Sequence, residues 1–232
     1  KRVIPCCAVS SSRPLAVVAA DPWRPMRVVA GPSPDALSAR ADVLEPATVG
    51  VLLDPLGAAP RHRWDEANAL MVRVEGRAPQ SRSESAVCAG GNAVLVESGE
   101  AVELIQFRQA ELVGAGVWRL RGLLRGQQGT TVAPAPAGAI VVLMDSAIVR
   151  TATSPAERGL PLLWRVGPRD APPGGPEVAG LVWTPVGLAD RPWSPAHARA
   201  FARGDGGFDL AWLPRLRVDG DRWEGEPQTA EP

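Results

Sequence analysis

The stretch GVWRLRGLLRGQQGT, Gly116 to Thr130, poses the choice on which the fold turns. Arginine and tryptophan stand among its leucines, and a Gln-Gln pair sits between two glycines. As a basic grip it would hold a phosphate or a nucleic acid. As a strand it would be half of a hairpin. By parity, Trp118, Leu120, Gly122 and Leu124 share one face, and Val117, Arg119, Arg121, Leu123 and Arg125 share the other. That is the period of a half-buried strand.

Upstream, Phe107 to Val113 precede Gly114-Ala115-Gly116, a turn suited to positive φ. Folding the chain about Ala115 sets Val113 opposite Val117, Leu112 opposite Trp118 and Glu111 opposite Arg119. Ala110 then faces Leu120, Gln109 faces Arg121, and Phe107 faces Leu123. Such cross-strand pairs contribute roughly 0.2–1 kcal/mol each, and a one-residue slip would set Glu111 beside Trp118. The Glu111–Arg119 pair weakens the anion-grip reading. GLLRGQQGT also lacks the lysine of a phosphate loop, so it reads as a turn, with a ligand loop as the alternative. This scheme assigns Arg125 and Gln127-Gln128 to no strand pair, and they could face another protein.

Composition narrows the function classes. The 232 residues suit one large β domain or two small ones, and a hydrophobic fraction of 45% supplies a core. Formal net charge is zero, which excludes a global pull toward nucleic acid or acidic membrane. Lys1 is the only lysine, so the body of the chain offers no Schiff-base or phosphate-loop lysine. Cys6, Cys7 and Cys88 match neither a zinc spacing nor a disulfide framework and read as buried or incidental thiols. No apolar run reaches the roughly 20 residues of a membrane helix, and no signal peptide is read. A chain opening on Lys reads as a piece of something longer.

Proline and glycine, 24 each, punctuate the chain and favour short strands over long helices. Strands are expected at 14–20, 26–30, 49–54, 69–76, 92–98, 101–107, 117–125, 138–145, 160–167 and 208–218, arranged as an all-β sandwich or barrel. A short helix is expected over SPAHARAFARG, capped by Ser194 and stopped by Gly204. Thr131–Gly138 reads as a Pro-Ala turn region. The domain reading is an N-terminal β segment over 1–62, either a subdomain or part of the main domain, a main β domain over 63–168, a loop over 169–180, C-terminal strands over 181–223 that pack on the main domain, and a tail over 224–232.

Catalytic signals are sparse. His62 and His197 accompany no nucleophile motif, and the carboxylate pairs Asp65/Glu66 and Asp209/Asp219 read as surface residues. Neither cofactor nor metal is implied. Eight tryptophans in a chain without tyrosine read mostly as core plugs, with exposed ones able to stack on sugars or sit in an interface. Near the end, Trp212, Pro214, Leu216 and Val218 alternate with Leu213, Arg215, Arg217 and Asp219 before an Asp219-Gly220-Asp221 turn. Pro214 cannot donate to a ladder, which points to an edge or bulged strand.

Several of these residues resemble a known family. Trp118–Thr130, with Trp118, Leu120, Leu123, Leu124, Arg125, Gly126, Gly129 and Thr130, resembles a block of the gene transfer agent and phage tail-tip "megatron" proteins, in their C-terminal, fibre-binding region. Arg63–Gly76, Gly91–Ala93 and the block Trp212, Arg215, Arg217, Asp219, Gly220, Asp221 and Trp223 are similar in the same order. Leu213-Pro214 departs from the pattern.

The resemblance implies a non-enzymatic, all-β component of a tail tip or baseplate, made in the bacterial cytoplasm and carried on a virion-like particle. It implies a role in host attachment and DNA delivery, within a symmetric multi-chain assembly. The implied partners are a tail fibre and other baseplate proteins, with a cell-surface glycan as a further candidate, no direct nucleic acid and no transmembrane segment. The alternatives are a carbohydrate-binding module of a cell-wall-degrading protein and an enzyme built on a carboxylate pair.

Overall fold

The computed structural model of the chain describes residues 14–61, 63–98, 101–185 and 193–215. Contacts divide it into two compact units, Lys1–Ala189 and Asp190–Pro232. The strands are β1 (Leu15–Ala16), β2 (Met26–Gly31), β3 (Ser38–Val43), β4 (Val49–Leu52), β5 (Trp64–Asp65), β6 (Leu70–Glu75), β7 (Ala93–Ser98), β8 (Ala101–Gly114), β9 (Val117–Leu124) and β10 (Ile140–Leu143). They continue with β11 (Val149–Arg150), β12 (Leu162–Pro168), β13 (Ala179–Trp183), β14 (Trp193–Ala202) and β15 (Phe208–Arg215). One short helix, α1 (Glu84–Cys88), stands among them; its Ser83 cap accepts a hydrogen bond from the Ala86 N–H.

The fold of the first unit is a closed antiparallel barrel with smaller sheets beside it. The barrel runs β9-β6-β4-β10-β7-β8, and β8 returns to β9, while β5 pairs with the far end of β9. Closure leaves the barrel strands no free edge. Alternation in the sequence builds its interior: Leu70, Val72 and Val74 point in from β6, joined by Ile105, Phe107, Leu120 and Val141.

β10 is apolar on both faces because its outer side is covered too. Ile140 and Val142 pack with Leu95, Leu104, Leu15 and Val17. The next residues along, Ala16 and Val18, belong instead to a second core with Met26, Val28, Trp164 and Val166. That core lines the four-stranded sheet β13-β12-β2-β3. Residues 15–18 thus lie between barrel and sheet with both faces buried. Thr151 fixes their start: its N–H and its Oγ1–H both donate to the Pro14 carbonyl, at 2.8 and 2.7 Å.

The expected hairpin is present in the expected register. Leu112 pairs with Trp118, Glu111 with Arg119, Ala110 with Leu120, Gln109 with Arg121 and Phe107 with Leu123. Two corrections apply. Gly114, not Val113, pairs with Val117, because the register shifts between Leu112 and Gly114 near the turn. The face assignment also changes within β9. Leu120 and Leu123 both enter the barrel core, three residues apart, although constant parity sets them on opposite faces. Gly122 lies between them at φ +62°, in the left-handed region, and redirects the strand. Leu123 and Arg125 therefore point inward, not outward with Arg119 and Arg121.

Other expectations shift. The helix over 194–204 is absent: residues 193–202 form β14 and pair with β15. Ala196, Ala198, Ala200 and Ala202 alternate strictly with His197, Arg199 and Phe201, and cross-strand pairing of that alternation outweighs alanine's helix propensity. Pro214 sits in β15, and the β14–β15 ladder carries register shifts between Trp193 and Arg199. The strand at 14–20 contracts to β1, β13 starts within the loop expected over 169–180, and β3 and α1 had no expected counterpart. Cys88 is exposed, which removes the buried reading for it and leaves that of an incidental thiol. Of the tryptophans whose burial is described, Trp164 alone is buried, and Trp212 is 55% exposed. Cys6, Cys7, His62, Arg217, Asp219, Gly220, Asp221, Trp223 and the tail over 224–232 lie outside the described residues.

Candidate functional site

The block that ends β9 forms the most densely bonded cluster of the barrel. Arg125 follows β9 directly and, because of the turn at Gly122, enters the barrel end with its guanidinium fully buried. Glu103 of β8 meets it there. Nε–H of Arg125 donates to Glu103 Oε1 at 2.7 Å, and Nη2–H donates to Oε2 at 2.8 Å, the parallel fork that a guanidinium and a carboxylate make best. The remaining donors reach the carbonyls of Gly57 (2.9 Å) and Ala133 (3.2 Å), and Asp65 Oδ2 stands 3.7 Å from Nη1.

The carboxylates are just as fully occupied. Glu103 Oε1 also accepts from the Gly126 N–H at 2.8 Å, and Oε2 accepts from the Ala133 N–H at 3.4 Å. Asp65 Oδ1 accepts from the Ala67 and Asn68 amides. A buried ion pair is tolerable only when such secondary bonds complete it.

The GQQGT loop bends around this pair. Gly126 and Gln128 both take left-handed backbone, at φ +60° and +51°. The loop closes on Thr130, whose Oγ1–H donates to the Gln127 carbonyl at 2.8 Å and whose Oγ1 accepts the buried Leu104 N–H at 3.0 Å. An Arg61 Nη2–H donates to the Thr130 carbonyl at 2.5 Å.

Sequence reasoning left Arg125 without a partner, missed Glu103 and Gly57, and read Asp65 as a surface carboxylate, whereas Asp65 is buried beside Arg125. A signal existed. Glu103 shares parity with Ile105 and Phe107, which places a carboxylate on an inward-facing stripe. That stripe requires a buried cation opposite. Chemically the cluster is closed: neither ion has a face toward solvent, and every group is committed to a protein partner. It can brace the barrel but cannot meet a substrate.

Outside the barrel, Arg108 lies 4.4 Å from the Trp64 ring centroid and is ion-paired with Glu66 and Glu84. Arg119 bonds Glu111 at 3.2 Å as the sequence suggests. The tip of the β8–β9 hairpin carries Leu112, 58% exposed, and Val113 beside it. On β15, Phe208, Leu210 and Trp212 share one face and are exposed. Of the expected family residues, Leu120, Leu123, Arg125 and Thr130 are buried together in the barrel, whereas Trp212 lies on the separate β14–β15 hairpin. Among the described residues no group of three or more His, Cys, Asp or Glu could hold a metal, and no helix is long and apolar enough to cross a membrane.

Residues 47–142 match the family model described as Rcc01698-like, C-terminal. The barrel is similar to that family's C-terminal domain. The match opens just before β4 and ends within β10, so it spans the barrel strands almost completely. It contains both Arg63–Gly76 and the Trp118–Thr130 block, reaches further upstream than Arg63, and stops well before the block at Trp212–Trp223. Of the described residues in the matched stretch, Asp65, Glu103 and Arg125 are the buried charged ones. No curated protein matches the chain.

Proposed function

We propose that the chain is a non-enzymatic structural component of a phage-like tail tip or baseplate. In this reading its β-barrel docks a tail fibre or another baseplate protein within a symmetric assembly, for host attachment and DNA delivery. The carrying observation is the coincidence of the Rcc01698-like match with a barrel whose strongest motif is consumed internally. With Arg125, Glu103 and Asp65 committed to the fold, recognition falls to the outer surface. The uncharged β8–β9 tip, with Leu112 and Val113 exposed, suits a protein partner, since apolar residues form the centre of such interfaces.

Purified particles from cells producing a tagged chain test this. The chain should co-purify with tails, and the pair Leu112→Asp, Val113→Asp should leave the barrel folded but deplete fibre from the particles. Particles that lack the chain altogether would sink the reading. The glycan-binding alternative draws on exposed Trp212; binding on a glycan array that is lost in Trp212→Ala would favour it.

A further inference from the structure

A cavity of about 270 Å³ lies between residues 14–18 and the inner face of the four-stranded sheet. Its walls are mainly apolar: Leu15, Val17, Val28, Val166 and Leu181 contribute, together with Trp164, and Thr151 adds a hydroxyl. Trp164 is 3% exposed and stacks edge-on against Trp183 at 5.9 Å between ring centroids. Its indole Nε1–H is buried and meets no acceptor among the described residues. Buried donors are nearly always paired, because leaving one unpaired forfeits the hydrogen bond it had in water. An orphan donor on a residue that walls a cavity is thus a second, independent mark of a missing partner.

Water is a poor candidate for that partner. A buried water needs two to four polar contacts. The Pro14 carbonyl at the cavity wall already accepts both Thr151 bonds, and the Val18 carbonyl accepts from Ala47. The rest of the lining is chiefly hydrocarbon.

We infer that this cavity binds a compact, largely apolar molecule carrying one acceptor oxygen, which takes the Trp164 indole N–H. A dry cavity of roughly 150 Å³ holds benzene, so this one suits a ligand of about ten non-hydrogen atoms. Ligands of that size reach dissociation constants on the order of 100 μM. The site is independent of the docking role proposed above, and its failure would leave that role standing.

The test compares two probes of one shape on the full chain: 4-phenyl-2-butanone, and isopentylbenzene, which replaces the carbonyl by a methyl-bearing carbon. In the nitrogen–proton NMR spectrum the Trp164 indole signal, assigned by its loss in Trp164→Phe, should move downfield with the ketone and not with the hydrocarbon. In Trp164→Phe the ratio of ketone to hydrocarbon affinity should fall about tenfold. No binding of either probe, an equal response of the Trp164 signal to both, or an unchanged ratio in a folded Trp164→Phe would overturn the inference. If that variant does not fold, the indole response in the unaltered chain decides alone.

Discussion

The guanidinium of Arg108 lies over the backbone of Gly122, in space that any side chain there would need. A Cβ on Gly122 would stand 2.6 Å from Arg108 Nε. Position 122 also has φ +62°, which L-residues adopt only at a cost. Gly122→Ala should therefore destabilise the barrel by about 1–3 kcal/mol in urea melts. Adding Arg108→Ala should recover the steric part and leave the backbone part, so that the double variant is more stable than the sum of the singles. Simple additivity of the two would contradict the contact.

Removing one member of the Arg125–Glu103 pair leaves a buried charge alone. Arg125→Met is expected to cost about 3–5 kcal/mol. Arg125→Met with Glu103→Leu should cost clearly less than the two singles added, although Gly126 and Ala133 then lose an acceptor. Denaturant midpoints of the four proteins check this. A double variant as damaged as the sum would mean that the ions do not interact.

Thr130 joins the loop to the core through one oxygen. Thr130→Val keeps the shape, loses the bonds to Leu104 and Gln127, and should lower stability by about 1–3 kcal/mol. Thr130→Ser keeps the hydroxyl and should recover most of the loss. Equal melts for Val and Ser would show the hydroxyl to be idle.

Glu157 gives the second sheet an acid-sensitive tie. The Arg40 guanidinium, bonded to its carboxylate at 2.5 and 3.0 Å, holds the Glu157 pKa below its ordinary value of 4.5, and burial opposes this more weakly. A carboxyl with a depressed folded pKa contributes stability that is complete above the ordinary value. That stability is lost as pH falls through the folded value. Glu157→Gln should thus flatten the fall in stability below about pH 4.5 and cost about 1–2 kcal/mol near neutrality. An unchanged acid limb in the stability–pH curve would rule the tie out.

Local order was legible in the sequence, and long-range closure was not. The hairpin could be registered from Glu111–Arg119 and its neighbours because both strands are adjacent and only one alignment satisfies every pair. Leu123 and Arg125 were assigned to the wrong face because parity counting presumes an unbroken pleat, and a single left-handed glycine ends that presumption. The partner of Arg125 is 22 positions away on the neighbouring strand. Its identity follows from how the barrel end closes, for which the inward position of Glu103 beside Ile105 and Phe107 is a local hint. At 194–202 the alternation of alanine with larger residues was present, but helix propensity and a capping serine concealed it.

Residues 15–18 are held by two hydrophobic clusters at once, odd positions by one and even positions by the other. Such a segment cannot be stripped from the sheet without also uncovering the outer wall of the barrel. Fraying therefore finds no cheap intermediate along this seam, and the first unit should melt as one calorimetric transition, with measured and van't Hoff enthalpies equal. Four residues thereby set the cooperativity of more than a hundred and fifty.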